Sequence, residues 1–141
     1  MLTRTFALLF LLLPMLAISG SPMQGSDFPV EIIEQIGNDR VIAFIEESDI
    51  AQTSVWEPTQ GSPGLSIPEA LQAVYGEIAA DPKLTSGQLE EIKLEQIPHH
   101  AGYWNYLVRM QTSNHEKHTS YYIVLMNGKV VPAVREPGSV K

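Results

Sequence analysis

The residue types best suited to chemistry gather in one stretch of this 141-residue chain. Its four histidines fall in two pairs, His99-His100 and His115-Glu-Lys-His118. Imidazole ligates Zn, Cu and Ni, which makes His115 and His118 a candidate metal pair. On a helix, that spacing would put both rings on one face. Here the flanking residues, Thr112-Ser-Asn-His-Glu-Lys-His-Thr119, read as a polar turn between strands, which leaves the geometry unset. The two pairs lie at opposite ends of an expected strand over 103–111, about 30 Å apart at roughly 3.3 Å per residue. All four therefore cannot share one ion within a monomer. A weak site on His115 and His118, completed by water or a second molecule, is the metal alternative to solvated loop histidines.

Covalent chemistry finds less to work with. Ser113, Thr119 and Ser120 neighbour the histidines, but no G-x-S-x-G elbow presents a nucleophile to a base. The adjacent carboxylates Glu46/Glu47 and Glu90/Glu91 would point to opposite faces of a strand. No Gly-rich phosphate loop or cofactor fingerprint is present, and the chain has no cysteine. The expectation is a non-enzymatic protein without a cofactor or disulfide. The net charge is −7, and the nine basic residues form no cluster. Nucleic acid and anionic lipid surfaces would be repelled.

The first residues read as a leader. Arg4 precedes the apolar run Phe6-Ala-Leu-Leu-Phe-Leu-Leu-Leu-Pro-Met-Leu16, and the small residues Ala17, Ser19 and Gly20 follow. That order predicts a signal peptide over 1–19, cleaved near Ser19/Gly20. The run is too short to span a bilayer, which takes roughly 20 apolar residues; an uncleaved anchor is the competing reading. Residues 20–27 are a flexible lead-in, 28–136 a single domain and 137–141 a tail. Export without disulfides suits the bacterial periplasm, so the expected location is periplasmic or secreted, with no stable membrane insertion after cleavage.

Within the domain, Val30-Glu-Ile-Ile-Glu-Gln-Ile36 suits either a strand or a helix, leaning to strand, and Val41-Ile-Ala-Phe-Ile45 is a strand. Residues 47–65 read as one long loop, in which Trp56 either anchors to the core or stacks on a ligand. Ser66-Ile-Pro-Glu69 is a capping box opening a helix. Ile67, Leu71, Val74 and Ile78, with Ala70, form its apolar stripe. Strands follow at 89–97 and 103–111, then the apolar run Tyr121-Tyr-Ile-Val-Leu-Met126. Asn127-Gly128 predicts a two-residue type I′ turn, setting Leu125 against Val130 and Tyr122 against Ala133. Pro132 then confines the last strand to a sheet edge. The fold class is α+β, a two-layer arrangement of one main helix on an antiparallel meander.

The helix PEALQAVYGEI, the aromatic-rich GYWNYLVRM and the hairpin YYIVLMNGKVV resemble PepSY-type modules and the broader cystatin-like α+β folds, over residues 66–134. PepSY modules are exported, non-catalytic and associated with binding or inhibiting envelope proteins. The resemblance implies an accessory or inhibitory domain with an envelope protein partner. Its working surface would be Trp56, or the sheet face bearing Tyr103, Leu107 and Arg109 if that face is open. The alternative is that the N-terminal strands cover it.

Overall fold

A computed structural model describes residues 28–113 and 116–137 of the chain. The expected leader and lead-in, His115 and residues 138–141 of the tail lie outside them. Where the sequence alternates or runs apolar, strands form: β1 (Val30–Ile36), β2 (Asp39–Ile45), β3 (Ser86–Gln96), β4 (Trp104–Ser113), β5 (Lys117–Leu125), β6 (Val130–Pro132) and β7 (Val134–Pro137). Two helices, α1 (Glu47–Ala51) and α2 (Ile67–Ala80), and a 3-10 turn at Pro58–Gln60 complete the described residues. Residues 30–36 resolve to strand, paired along their whole length with β2. Gly37 takes the positive φ, 61°, which closes that hairpin.

The strands form two antiparallel sheets, ordered β3-β4-β5-β6 and β1-β2-β7. Alternation along β4 and β5 decides how they stack. Tyr106, Val108, Met110, Tyr122 and Val124 pack with Ala70, Val74 and Ile78 of α2. Leu107, Tyr121, Ile123 and Leu125 point the other way and pack with Val30, Ile32, Val41, Ala43 and Ile45 of the smaller sheet. The order is thus helix, four-stranded sheet, three-stranded sheet. This corrects the two-layer expectation: the sheet's second face is covered by the N-terminal hairpin. Apolar residues on both sides of β5 are what a strand buried on both faces requires. Each large aliphatic side chain hidden this way stabilises the fold by roughly 1.5–3 kcal/mol.

The capping box forms as expected. The Glu69 carboxylate accepts from the Ser66 backbone N–H at 2.8 Å, and Ser66 Oγ accepts from the Glu69 N–H at 3.4 Å. The stripe is turned from its expected position. Ala70, Val74 and Ile78 seat on the sheet, Leu71 is half-buried, and Ile67 stays 49% exposed.

Three further expectations are corrected. Residues 47–65 are not one loop, because a box between Glu46 and Asp49 opens α1; the Glu46 N–H donates to Asp49 Oδ2 at 3.0 Å. The Asn127-Gly128 hairpin has a three-residue turn. Leu125 O accepts from the Gly128 N–H and Leu125 N–H donates to Lys129 O, so Tyr122 faces Pro132 rather than Ala133. Gly128 alone carries the positive φ, 87°, there, while Asn127 Oδ1 accepts from the Lys129 N–H. That is a type I turn closed by a left-handed glycine. Finally, the last strand does not stay on one edge. β6 ends at Pro132, and the chain passes into the other sheet as β7, with Val41 opposite Arg135.

Asp49 ties α1 to this hairpin. It is 5% exposed, and its Oδ1 pairs with Lys129 Nζ. Burial pushes its carboxyl up, but the Lys129 hydrogen bond, the Glu46 N–H and the Lys129 charge outweigh that and hold it below its ordinary value. A depressed carboxyl contributes stability above its unfolded pKa, about 3.9, and loses it as pH falls through the lower folded value. Asp49→Asn is expected to cost about 1–2 kcal/mol at pH 7, at the modest end for a charged pair because Lys129 is half exposed. Urea midpoints of the two proteins should converge as pH drops below about 4. A difference that persists there would show that the ionised carboxylate is not the source.

Candidate functional site

An apolar concavity lies where the N-terminus of α2, the loop before it and the β3 edge meet. It is an open groove of about 560 Å³ lined by Ser62, Pro63, Ile67, Pro68, Ile92, Leu94 and Tyr106, with Ser66 at its rim. Strand alternation supplies its floor: Ile92 pairs with Val108 and Leu94 with Tyr106, so these side chains share the helix-facing side. Tyr106 is buried, and its hydroxyl donates to the Leu65 carbonyl at 2.8 Å, fixing the start of the helix over the sheet. Burial pushes the Tyr106 phenol above its ordinary pKa, with the Glu69 charge adding to the effect, so it remains a neutral donor. Ile67 and Leu94 are 49% and 38% exposed, unusually open for large aliphatic side chains.

Trp56 shapes one wall indirectly. Its backbone N–H donates to Gly102 O at 2.9 Å, and its carbonyl accepts the Trp104 indole N–H at 2.9 Å. The two indole rings meet edge to face with centroids 5.4 Å apart. Trp56 also donates its own indole N–H to Gly61 O at 3.2 Å. The bonds to Gly102 and Trp104 fasten the 52–65 segment to the turn after β3 and the start of β4, and Trp56 itself is half-buried there.

The other sequence-derived candidates are dispersed. Leu107 is 2% exposed, inside the core between the sheets. Arg109 is half-buried and paired with Glu90 and Glu91 at 3.3 and 3.7 Å. Tyr103 is half-buried against the same core and against the His100 ring. No open face presents the three together. His118 sits on β5 opposite Thr112, while His99 and His100 occupy the turn at the other end of β4, so the separation expected between the pairs holds for these three. Among the described residues no group of three or more His, Cys, Asp or Glu is placed to hold a metal ion. No described helix is long and apolar enough to cross a membrane.

The groove itself was not singled out from the sequence. Its signal was present in Ile92 and Leu94 on one face of an otherwise charged strand, but only the fold brings Ile67 beside them. Comparison with known proteins finds no matching family model, no similar curated protein and no similar solved structure.

Proposed function

We propose that this protein is a small exported, non-enzymatic binding module of the bacterial cell envelope, and that it holds an apolar segment of a partner protein in the groove beside α2. The observation that carries the reading is the exposure of Ile67 and Leu94 along an apolar groove of about 560 Å³, on a chain whose net charge is −7. Apolar surface rimmed by polar residues is where protein segments dock. The leader-like N-terminus, the absence of cysteine and the resemblance to PepSY-type modules support an envelope setting.

Two measurements test it. N-terminal sequencing of the mature protein should begin near Gly20; an intact Met1 on the functional protein would remove the export part. A photoreactive residue placed at Ile67 should give a discrete adduct with one envelope protein in native cells. The same probe at Gln72, exposed on α2, should give none. Equal labelling from both positions, or none from Ile67, would overturn the groove as the binding surface.

A further inference from the structure

β3 borders the four-stranded sheet: β4 pairs one side of it, and no described strand pairs the other. Its register against β4 shifts between Leu89 and Glu91, a bulge that leaves 91–96 as the straight part of the edge. That part is not flat and apolar. It alternates Ile92 and Leu94 with Glu91, Lys93 and Glu95, so any strand added there must answer a defined pattern of charge.

We propose that a second copy of this chain supplies that strand, with β3 antiparallel to β3 and Leu94 opposite Leu94 on the two-fold axis. The two four-stranded sheets then become one continuous sheet of eight strands. Directly opposed residues of an antiparallel pair share a face, so both helical layers fall on the same side only if the axis passes through a residue. Centring on Ile92 would run Leu94 into the bulge at Glu90. Centring on Lys93 would oppose the two Lys93 ammoniums and set Glu91 against Glu95. Centring on Leu94 avoids the bulge. It sets Lys93 against Glu95 twice, on one face, and packs two half-exposed Leu94 side chains together on the other.

The surroundings of Glu95 favour the same register. Burial raises its carboxyl above the ordinary range, and the nearby Glu34 and Glu91 charges add to this while Lys93 of its own strand opposes it. A second ammonium, Lys93 of the other copy, would offset that accumulation of negative charge. The pairing also brings the two apolar grooves together across the seam, because Ile92 and Leu94 line both. The proposed dimer needs no particular groove ligand.

Because the chain has no cysteine, single thiols report the register directly. Full-length mature Leu94→Cys should oxidise in air to a disulfide-linked dimer, while Ile92→Cys and Lys93→Cys should remain largely unlinked. In sedimentation equilibrium the unmodified protein should be a dimer, and Lys93→Glu should weaken it by about tenfold or more. The exchanged variant Lys93→Glu/Glu95→Lys should recover the dimer, since the pairing is the same with the charges swapped. Circular dichroism of each variant guards against loss of fold, and these side chains lie at the partly exposed edge. A monomer at millimolar concentration would overturn the proposal. So would preferential linking through position 92 or 93, or a folded exchange variant that stays as weak as Lys93→Glu. Photolabelling at Ile67 separates this from the groove reading. A monomer that still labels its partner sinks the dimer alone, and a dimer without labelling sinks the groove alone.

Discussion

Leu107→Ala is expected to destabilise the protein by about 2–5 kcal/mol, the range for removing a buried aliphatic side chain and leaving part of the cavity. Leu107 is 2% exposed and packs in the core shared by β4, β5 and the N-terminal hairpin. Its neighbours belong to two different sheets, so the gap cannot close by a small shift of one strand. The measurement is the urea midpoint at constant slope. Ile33→Ala makes the comparison, because Ile33 on β1 is 44% exposed and should cost about 1 kcal/mol or less. The outcome decides how the central sheet is used. A loss below about 0.5 kcal/mol at Leu107 would mean that its face is open and the hairpin does not cover it.

Gly102→Ala should cost about 2 kcal/mol or more, through two separable causes. Gly102 has φ 81°, a conformation that opposes any Cβ by about 1–2 kcal/mol. A Cβ there would also stand 2.4 Å from Val55 Cγ1, an overlap that β-branched Val55 can relieve only by turning about a stiff χ1 or moving its backbone. Val55→Ala in the same chain should recover the overlap and leave the backbone strain. The Gly102 carbonyl is also what receives the Trp56 N–H. Amide exchange at Trp56 should therefore accelerate in Gly102→Ala more than exchange within β5. Unchanged protection at Trp56 would show that the 52–65 segment is held by the indole contacts alone.

What the sequence made legible follows the range over which each signal acts. The α2 cap needed only Ser66 and Glu69, three residues apart, and it formed as read. The face assignment of β4 needed only alternation. Val30–Ile36 was harder, because its isoleucines satisfy both periods and only pairing with β2 settles the choice. The Met126-Asn127-Gly128 turn shows how a strong local signal can mislead. Asn-Gly suits a two-residue turn, but the same pair closes a type I turn when glycine alone takes the positive φ. One added residue moved every later pairing by one. The third layer was written in β5, whose unbroken apolar run from Tyr121 to Met126 makes sense only with cover on both sides. What supplied the cover lay about eighty residues earlier in the chain, beyond any periodicity. The groove was hidden for the same reason, since Ile67 and Leu94 meet only through tertiary packing.

The passage of the chain from β6 to β7 also sets an order in time. β1 and β2 can pair as soon as both are made, yet the other side of β2 waits for β7, with Val41 bonded opposite Arg135. Such a distant partner makes ring closure late and slow compared with hairpin formation. Until the final strand arrives, a chain emerging N-terminus first carries an unsatisfied β2 edge and cannot finish its second sheet. Completion of the second sheet thus waits for β7, and truncation after Ala133 would leave that edge of β2 without its partner strand.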